Sequence, residues 1–300
     1  MLRVGPAGWS YDDWAGAVYP KPRPKGFDPL AFMAGYFDMV ELNTSFYRPV
    51  SAHNVGLWLE RTAFNPDFRF TAKLWRRFTH ERASRWSAED VRQTRQGLDL
   101  LHESGRLGAV LVQFPWSFRH TAENQDWLDG VISTFEGWPL VLEVRHASWN
   151  EPEVFAELAE RGVGFVNIDQ PLFAHSLAPS ARVTSPVGYV RVHGRNFHNW
   201  FRKTATAPER YDYLYSAQEL APWVERTREI SAHPRVEDVY VVTNNHVRGK
   251  GVVNALMLQS LLTDQRVPAP ESLVRLYPDT LEPYVLPPEE APLDLAGAPA

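Results

Sequence analysis

Seven ionisable residues of this 300-residue chain have the types and spacing to do chemistry together. They are Glu41, Glu143 and Asp169, set against Lys73, Arg145 and Arg191, with His193 beside them. Carboxylates and an imidazole can move protons near neutral pH. Guanidinium forks suit carboxylate or phosphate. Lys73 could stabilise an oxyanion, or form a Schiff base if Arg145 or Arg191 lowers its pKa. Glu41, Lys73, Glu143 and His193 are therefore the candidate catalytic groups. Trp9, Asn43, Gln113, Arg145, Asp169, Arg191, Asn245 and Lys250 are the candidate binding groups. The competing reading is a satisfied salt-bridge network that ties strand ends together, since buried ions normally come paired.

The reason to group these residues is alternation. Glu41 and Asn43, Thr71 and Lys73, Glu143 and Arg145, Asn167 and Asp169, Arg191 and His193, and Thr243 and Asn245 each stand two apart. The residues between them are almost all Val, Leu, Ile, Phe or Ala, and Gln113 ends a similar run. Side chains two apart on a strand share a face. A strand packed apolar on both faces would read as a near-continuous hydrophobic run. The polar set is expected to collect at the C-terminal ends of the strands, where barrel active sites form.

Eight strands are predicted, at 2–8, 38–44, 68–74, 107–114, 140–145, 163–169, 187–193 and 238–244. Helical patterns fill 28–37, 51–63, 87–104, 121–135, 151–161, 217–231 and 250–262. Ser87 with Asp90 three positions on forms an acidic capping box. The gap 170–186 holds Pro171, Pro179 and Pro186 and reads mostly as loop. Strands alternating with helices give an α/β fold, a (β/α)8 TIM barrel in one domain over 1–277. A doubly wound sheet would need a switch point, and Gly5-Pro-Ala-Gly8 lacks the dinucleotide fingerprint. Residues 278–300, rich in Pro, Ala and acid, are expected to form a loose tail.

Composition narrows the chemistry. The chain is 44% hydrophobic and 22% charged, with a net charge of −5, which disfavours a general nucleic-acid binder without excluding one. It has no cysteine, so disulfides, thiolate metal sites and a cysteine nucleophile are out. No signal-peptide layout or membrane-length apolar run is seen, and a cytoplasmic protein is expected. No cofactor is predicted. A divalent metal would compete with three cations, and His193 and His198 are poorly spaced as ligands. A phosphate site has more support: Arg195 and Arg248-Gly249-Lys250-Gly251 follow the last two strands, where barrels often hold phosphate. The tryptophans at 9, 14, 75, 116, 149 and 200 could wall a sugar site, but the cations favour an anion over a neutral sugar.

With the strands placed, the chain resembles the DUF72 family, the YecE-like proteins. The matching residues are Gly8-Trp9-Ser10-Tyr11 with Trp14 and Tyr19-Pro20, Val40-Glu41-Leu42-Asn43 with Ser45-Phe46-Tyr47, and Phe70-Thr71-Ala72-Lys73 with Thr79-His80. Further along stand Gln113-Phe114-Pro115, Glu143-Val144-Arg145-His146 with Trp149, Tyr189-Val190-Arg191-Val192-His193-Gly194, and Asn244-Asn245. The resemblance runs from residue 4 to about 262. It implies a TIM barrel and supplies no reaction. The expected function is a hydrolase or lyase-like enzyme acting on a small anionic, phosphorylated or sugar-derived compound. The rivals are a non-catalytic binding or regulatory barrel, and a phosphodiesterase or nuclease acting on single strands.

Overall fold

The protein is described by a computed structural model covering residues 1–287 other than 201 and 203. Its strands are β1 (Leu2–Pro6), β2 (Met39–Leu42), β3 (Arg69–Lys73), β4 (Leu107–Gln113), β5 (Leu140–Glu143), β6 (Gly164–Asp169), β7 (Val187–Val192) and β8 (Asp238–Thr243). All pair in parallel, in the order β1-β8-β7-β6-β5-β4-β3-β2. The two ends of that ladder meet where Ala7 bridges Glu41, with the Gly8 amide donating to the Glu41 carbonyl at 2.9 Å. The sheet therefore rolls into the expected (β/α)8 TIM barrel.

The helices that cover it are α1 (Pro29–Ala34), α2 (Ala52–Arg61), α3 (Ala88–Glu103), α4 (Ala122–Thr134) and α5 (Pro152–Glu160). After β7 come the short α6 (Phe197–Trp200) and α7 (Ala207–Tyr211), then α8 (Ala217–Ala232). Beyond β8 lie α9 (Lys250–Thr263), α10 (Glu271–Leu276) and α11 (Pro278–Leu281). The Ser87 capping box forms as the sequence predicts, with Ser87 Oγ accepting from the Asp90 amide and Asp90 returning the favour. Such a cap stabilises a helix by about 1 kcal/mol. The stretch 170–186 is irregular, as predicted. Asn167 holds it, accepting from Ser180 Oγ at 2.8 Å and the Arg182 amide at 2.7 Å.

The strand register separates lumen from shell, because partners across a parallel ladder share a face. Glu41 pairs with Thr71, Lys73 with Leu111, Gln113 with Glu143, and Arg191 with Ile168 and Val242. Those residues face the lumen. On β6 the inward residues are Val166 and Ile168, so Asn167 and Asp169 face the helices. On β8 the inward residues are Tyr240 and Val242, so Thr243 and Asn245 also face outward. The expectation that every polar pair shares the lumen therefore fails on two strands. Alternation fixes the parity within a strand but not its phase relative to neighbours.

The boundary expected at 277 falls inside packed structure. Leu281 is fully buried, Val285 nearly so, and Val267 bridges Val285 in parallel. A short apolar series there (Leu281, Tyr284, Val285) outweighs the proline-rich composition. The remainder of the expected tail, 288–300, lies outside the described residues.

Barrel closure leans on one glycine. A Cβ at Gly5 would sit 2.1 Å from the Met39 carbonyl oxygen of β2. Gly5→Ala is expected to destabilise the protein by about 3 kcal/mol, towards the upper end for overpacking, because the clash is with backbone. Chemical denaturation of the variant checks this; a loss under about 1 kcal/mol would show that the seam between β1 and β2 can give.

Candidate functional site

The barrel lumen is filled by polar layers stacked along its axis. At the bottom, Arg3 donates to Asp238 at 2.7 Å. Above it Tyr189, sent inward by β7, sets its hydroxyl 3.0 Å from Glu41 Oε2 and 2.9 Å from Thr71 Oγ1. A phenol has one proton to give, so it donates to the carboxylate and accepts from Thr71. Burial and the Glu41 charge push the Tyr189 hydroxyl well above its ordinary pKa, which keeps it neutral.

Arg191 forms the next layer. It is flanked on its own side of the barrel by apolar Ile168 and Val242, so its head crosses the lumen. Nη2 donates to Glu41 Oε1 at 2.7 Å and Nη1 donates to Glu143 Oε2. All three side chains are fully buried. One guanidinium thus joins β2, β5 and β7. Burial alone would lower the Arg191 pKa; the two carboxylates and their bonds reverse that and raise it. Burial alone would raise the Glu143 carboxyl, but Arg191 and Arg145 hold it well below the usual carboxylate range.

The top layer holds His193, Arg145 and Lys73. His193 is fully buried, with Nε2 3.2 Å from Glu143 Oε1 and Nδ1 3.2 Å from the Asn244 amide nitrogen. A neutral ring with its proton on Nε2 suits both neighbours. Burial, with Arg145 and Arg191 adding to it, pushes that imidazole down to about 3 despite Glu143. Arg145 grips Glu143 Oε1 through Nε at 3.0 Å and Nη2 at 2.9 Å. Lys73 has a looser tie, with Nζ 3.8 Å from Glu41 Oε1. Burial, then the Arg191 charge, push its ammonium down to about 8 against the pull of Glu41. Lys73 and Arg145 keep 13% and 11% of their side chains exposed, so the layer reaches solvent through these two cations.

Aromatic side chains roof this layer. The Arg145 guanidinium lies 5.6 Å from the Trp200 ring centre, and Tyr211 lies 5.8 Å from Trp200 and 6.3 Å from His193. Tyr211 also nears His246, which stacks on Tyr11 at 4.5 Å. Tyr11 in turn accepts from Asn43 Nδ2 at 3.1 Å. Gln113 stands half-buried beside Glu143 in the ladder.

The barrel therefore brings together Glu41, Lys73, Gln113, Glu143, Arg145, Arg191 and His193, with Asn43 near the rim. It sets four expected binding residues elsewhere. Asp169 faces the shell, clasped by Arg195 at 2.8 and 2.9 Å and by the Tyr215 hydroxyl. Asn245 donates to the Tyr213 carbonyl and to Asn254, both at 2.8 Å. Trp9 packs edge-on against Trp58 of α2 at 5.5 Å. Lys250 sits at the start of α9 on Asp212 at 2.5 Å. The expected phosphate loop is already supplied with acid: Arg195 has Asp169, Lys250 has Asp212, and the Arg248 amide donates to Asp13 at 2.6 Å. Among the described residues, no three His, Asp or Glu side chains converge as a metal-ligand set.

Sequence reasoning missed Tyr189, Asn244 and Tyr211, and offered Trp200 only as one of six tryptophans that could wall the mouth. Tyr189 shares the parity of Arg191 and His193, which was signal enough. Asn244 was one residue from the expected Asn245, a phase error on β8. Trp200 and Tyr211 arrive on the short helices α6 and α7 between β7 and α8, too brief for a periodicity that reports direction.

An eight-stranded barrel with a buried, ion-paired layer beneath two solvent-reaching cations is the class that fold and site define. The chain matches the model of the DUF72 family, "Protein of unknown function DUF72", over residues 3–275. It is similar to UPF0759 protein YunF of Bacillus subtilis, at 28% identity over 87% of this chain and 95% of the relative. It is similar in structure to a DUF72 family protein of Thermotoga maritima, at 34% identity and TM-score 0.75, covering 88% of this chain and 99% of that one. A DUF72 family protein of Enterococcus faecalis aligns at 27% identity and TM-score 0.73, over 88% and 96% of the two chains. This chain belongs to the DUF72 family.

Two outcomes follow from the burial. Arg191→Met would leave Glu41 and Glu143 buried without their shared partner, and removing one member of such a set costs roughly 3–5 kcal/mol. A urea melt of the variant reads this directly; a loss below about 1 kcal/mol would mean the carboxylates are not tied to Arg191 as the geometry has it. The second concerns pH. An unfolded histidine titrates near 6.5, whereas His193 in the fold titrates near 3. Between those values the unfolded chain binds a proton that the folded chain refuses. Stability is therefore full above about pH 6.5 and declines as pH falls, by up to about 1.4 kcal/mol per pH unit for one proton. His80, pushed by burial to about 4, works in the same direction. Denaturation midpoints measured from pH 7.5 to 4.5 should fall, and His193→Gln should flatten that slope; equal slopes in both proteins would exclude His193 as the source.

Proposed function

We propose that this DUF72 barrel is an enzyme acting on a small anionic compound held at the mouth by Arg145 and Lys73. The observation that carries this reading is the vertical order of charge. Glu41 and Glu143 lie fully buried and committed to Arg191, while Lys73 and Arg145 face the solvent side. Two carboxylates against three cations leave one positive charge in the cluster, with His193 neutral. An anion entering from above meets the cations first. A site that is low in dielectric and positively charged holds an anion more firmly than an exposed lysine could.

The same order divides the labour. Glu143 is pinned by three groups, so its role is to fix Arg145 and His193 rather than to trade protons. Arg145 supplies a fork whose Nη1 is not engaged by Glu143 and which can take one oxygen of a carboxylate or phosphate. Lys73, at about 8, has the titration range nearest to working pH in the upper layer and is the group suited to moving a proton. Trp200 and Tyr211 would exclude water above the bound compound.

The test is a thermal-shift titration with inorganic phosphate and pyruvate. A ligand bound to the folded state raises the melting temperature by mass action. Wild-type protein is expected to respond to at least one of them, and Arg145→Met is expected to weaken that response by about tenfold or more, the loss of one charge-assisted fork. Absence of any anion-dependent shift in the wild-type protein would remove the anion-site reading.

A further inference from the structure

We infer that Lys73 is an amine nucleophile that forms a Schiff base with a small carbonyl compound bearing a carboxylate or phosphate group. The inference deepens the proposed function and rests on its anion site. Three observations support it. First, the placement: Lys73 ends β3 at the top of the lumen, 13% exposed, with its nitrogen 6.0 Å from the centre of the Phe46 ring. Second, the partnership is incomplete. Arg191 is forked onto two carboxylates and Arg145 chelates a third oxygen through two nitrogens, yet Lys73 has a single carboxylate contact, at 3.8 Å. A lysine acting only as counter-ion would close that gap to a hydrogen bond. Third, the residue type: lysine stands only at positions 21, 25, 73, 203 and 250, and arginine supplies the other 26 cations. The two cations in contact with this cluster that act as clamps are arginines. Guanidinium cannot lose its proton in a protein, whereas a desolvated ammonium beside other cations can. With its pKa lowered to about 8, roughly a tenth of Lys73 is free amine at pH 7.

The chemistry balances without a further reagent. The Nζ lone pair forms a bond to the carbonyl carbon, and the C=O π pair moves to oxygen. That oxygen takes up the proton lost from nitrogen, giving a carbinolamine. A second nitrogen proton then accompanies the hydroxyl as it leaves, so the net change is one water released and one C=N bond formed. Glu41 Oε1 is the nearest base to relay those protons. Arg145 would hold the anionic end and so place the carbonyl over Lys73. The shared ligand chemistry is an anionic aldehyde or ketone, whether its charge comes from a 2-oxo acid or from a phosphate ester.

Reductive trapping tests this. The full-length protein is incubated with pyruvate, dihydroxyacetone phosphate or acetone in the presence of cyanoborohydride, and the adduct is located by peptide mass spectrometry. The expected result is an adduct on Lys73 with pyruvate or with the phosphate ester, forming at least about tenfold faster than on exposed Lys21 and Lys25, which lie outside the barrel mouth. Which of the two reacts identifies the source of the charge. The rate should be half-maximal near pH 8. Lys73→Arg should lose the adduct while the slow labelling of Lys21 and Lys25 stays unchanged. No adduct with any probe, or equal labelling of Lys73, Lys21 and Lys25, overturns the amine role. If phosphate or pyruvate shifts the melting temperature while no adduct forms, the amine role fails and the anion site stands. If acetone labels Lys73 as fast as the two anions do, the amine role stands and the anion site fails.

Discussion

The bridge from Arg191 to Glu41 and Glu143 is the constraint around which this barrel is organised. Two carboxylates from opposite parts of the sheet lie in a space with no water access, and a single guanidinium bridges both. Removing ions from water costs several kcal/mol apiece, and only near-ideal geometry returns that cost. The geometry is supplied by register: Ile168 and Val242 offer Arg191 no partner at its own wall, so its head must cross. Tyr189, itself bonded to Thr71, then satisfies the remaining Glu41 oxygen from below, while Arg145 grips Glu143 from above and the His193 ring lies 3.2 Å from it. A polar network of this kind is favourable only when each member is satisfied, and here the members come from β2, β3, β5 and β7.

The cluster also explains how a salt-bridge reading and a functional reading can both apply to one set of residues. The lower tier, Glu41, Glu143 and Arg191, is dry and ion-paired, with Arg191 Nε left without a hydrogen-bond partner. The upper tier, Lys73 and Arg145, is incompletely matched and reaches solvent. Charge burial in the first fixes the positions of the second. Rigid support beneath a few reactive groups is what a precise site requires, and strand ends supply it better than loops do.

Much of this was legible in the sequence because alternation is a local property. Val40-Glu41-Leu42-Asn43 and Tyr189-Val190-Arg191-Val192-His193 announce both a strand and a polar face. The Ser87 cap and the proline-marked gap at 170–186 were equally local and equally readable. What was hidden is relational. Asp169 and Asn245 obey the same alternation as Arg191, yet they point at helices, because the phase of each strand is decided by its neighbours' hydrogen bonds. Arg195 and Tyr215 wait outside for Asp169, and nothing in the local pattern announces that they come from beyond β7. The placement of Trp200 and Tyr211 over the cluster was out of reach for a different reason: it depends on how the segment after β7 folds, held by such contacts as Asn196 to the Glu209 carbonyl at 2.9 Å. The packed turn at 278–287 was concealed by a composition that reads as tail.

The seam of the barrel has a consequence for how the chain is made. Leu2 of β1 is synthesised long before its ladder partner, Val239 of β8. Throughout synthesis β1 has one free edge, while β2 and β5 carry glutamates whose common counter-ion is still unmade. The nascent protein thus accumulates its exposed strand edge and its unneutralised charge together, and sheds both when β7 and β8 emerge. The barrel is most vulnerable to wrong partners just before β8 emerges, and its first strand is the last to be secured.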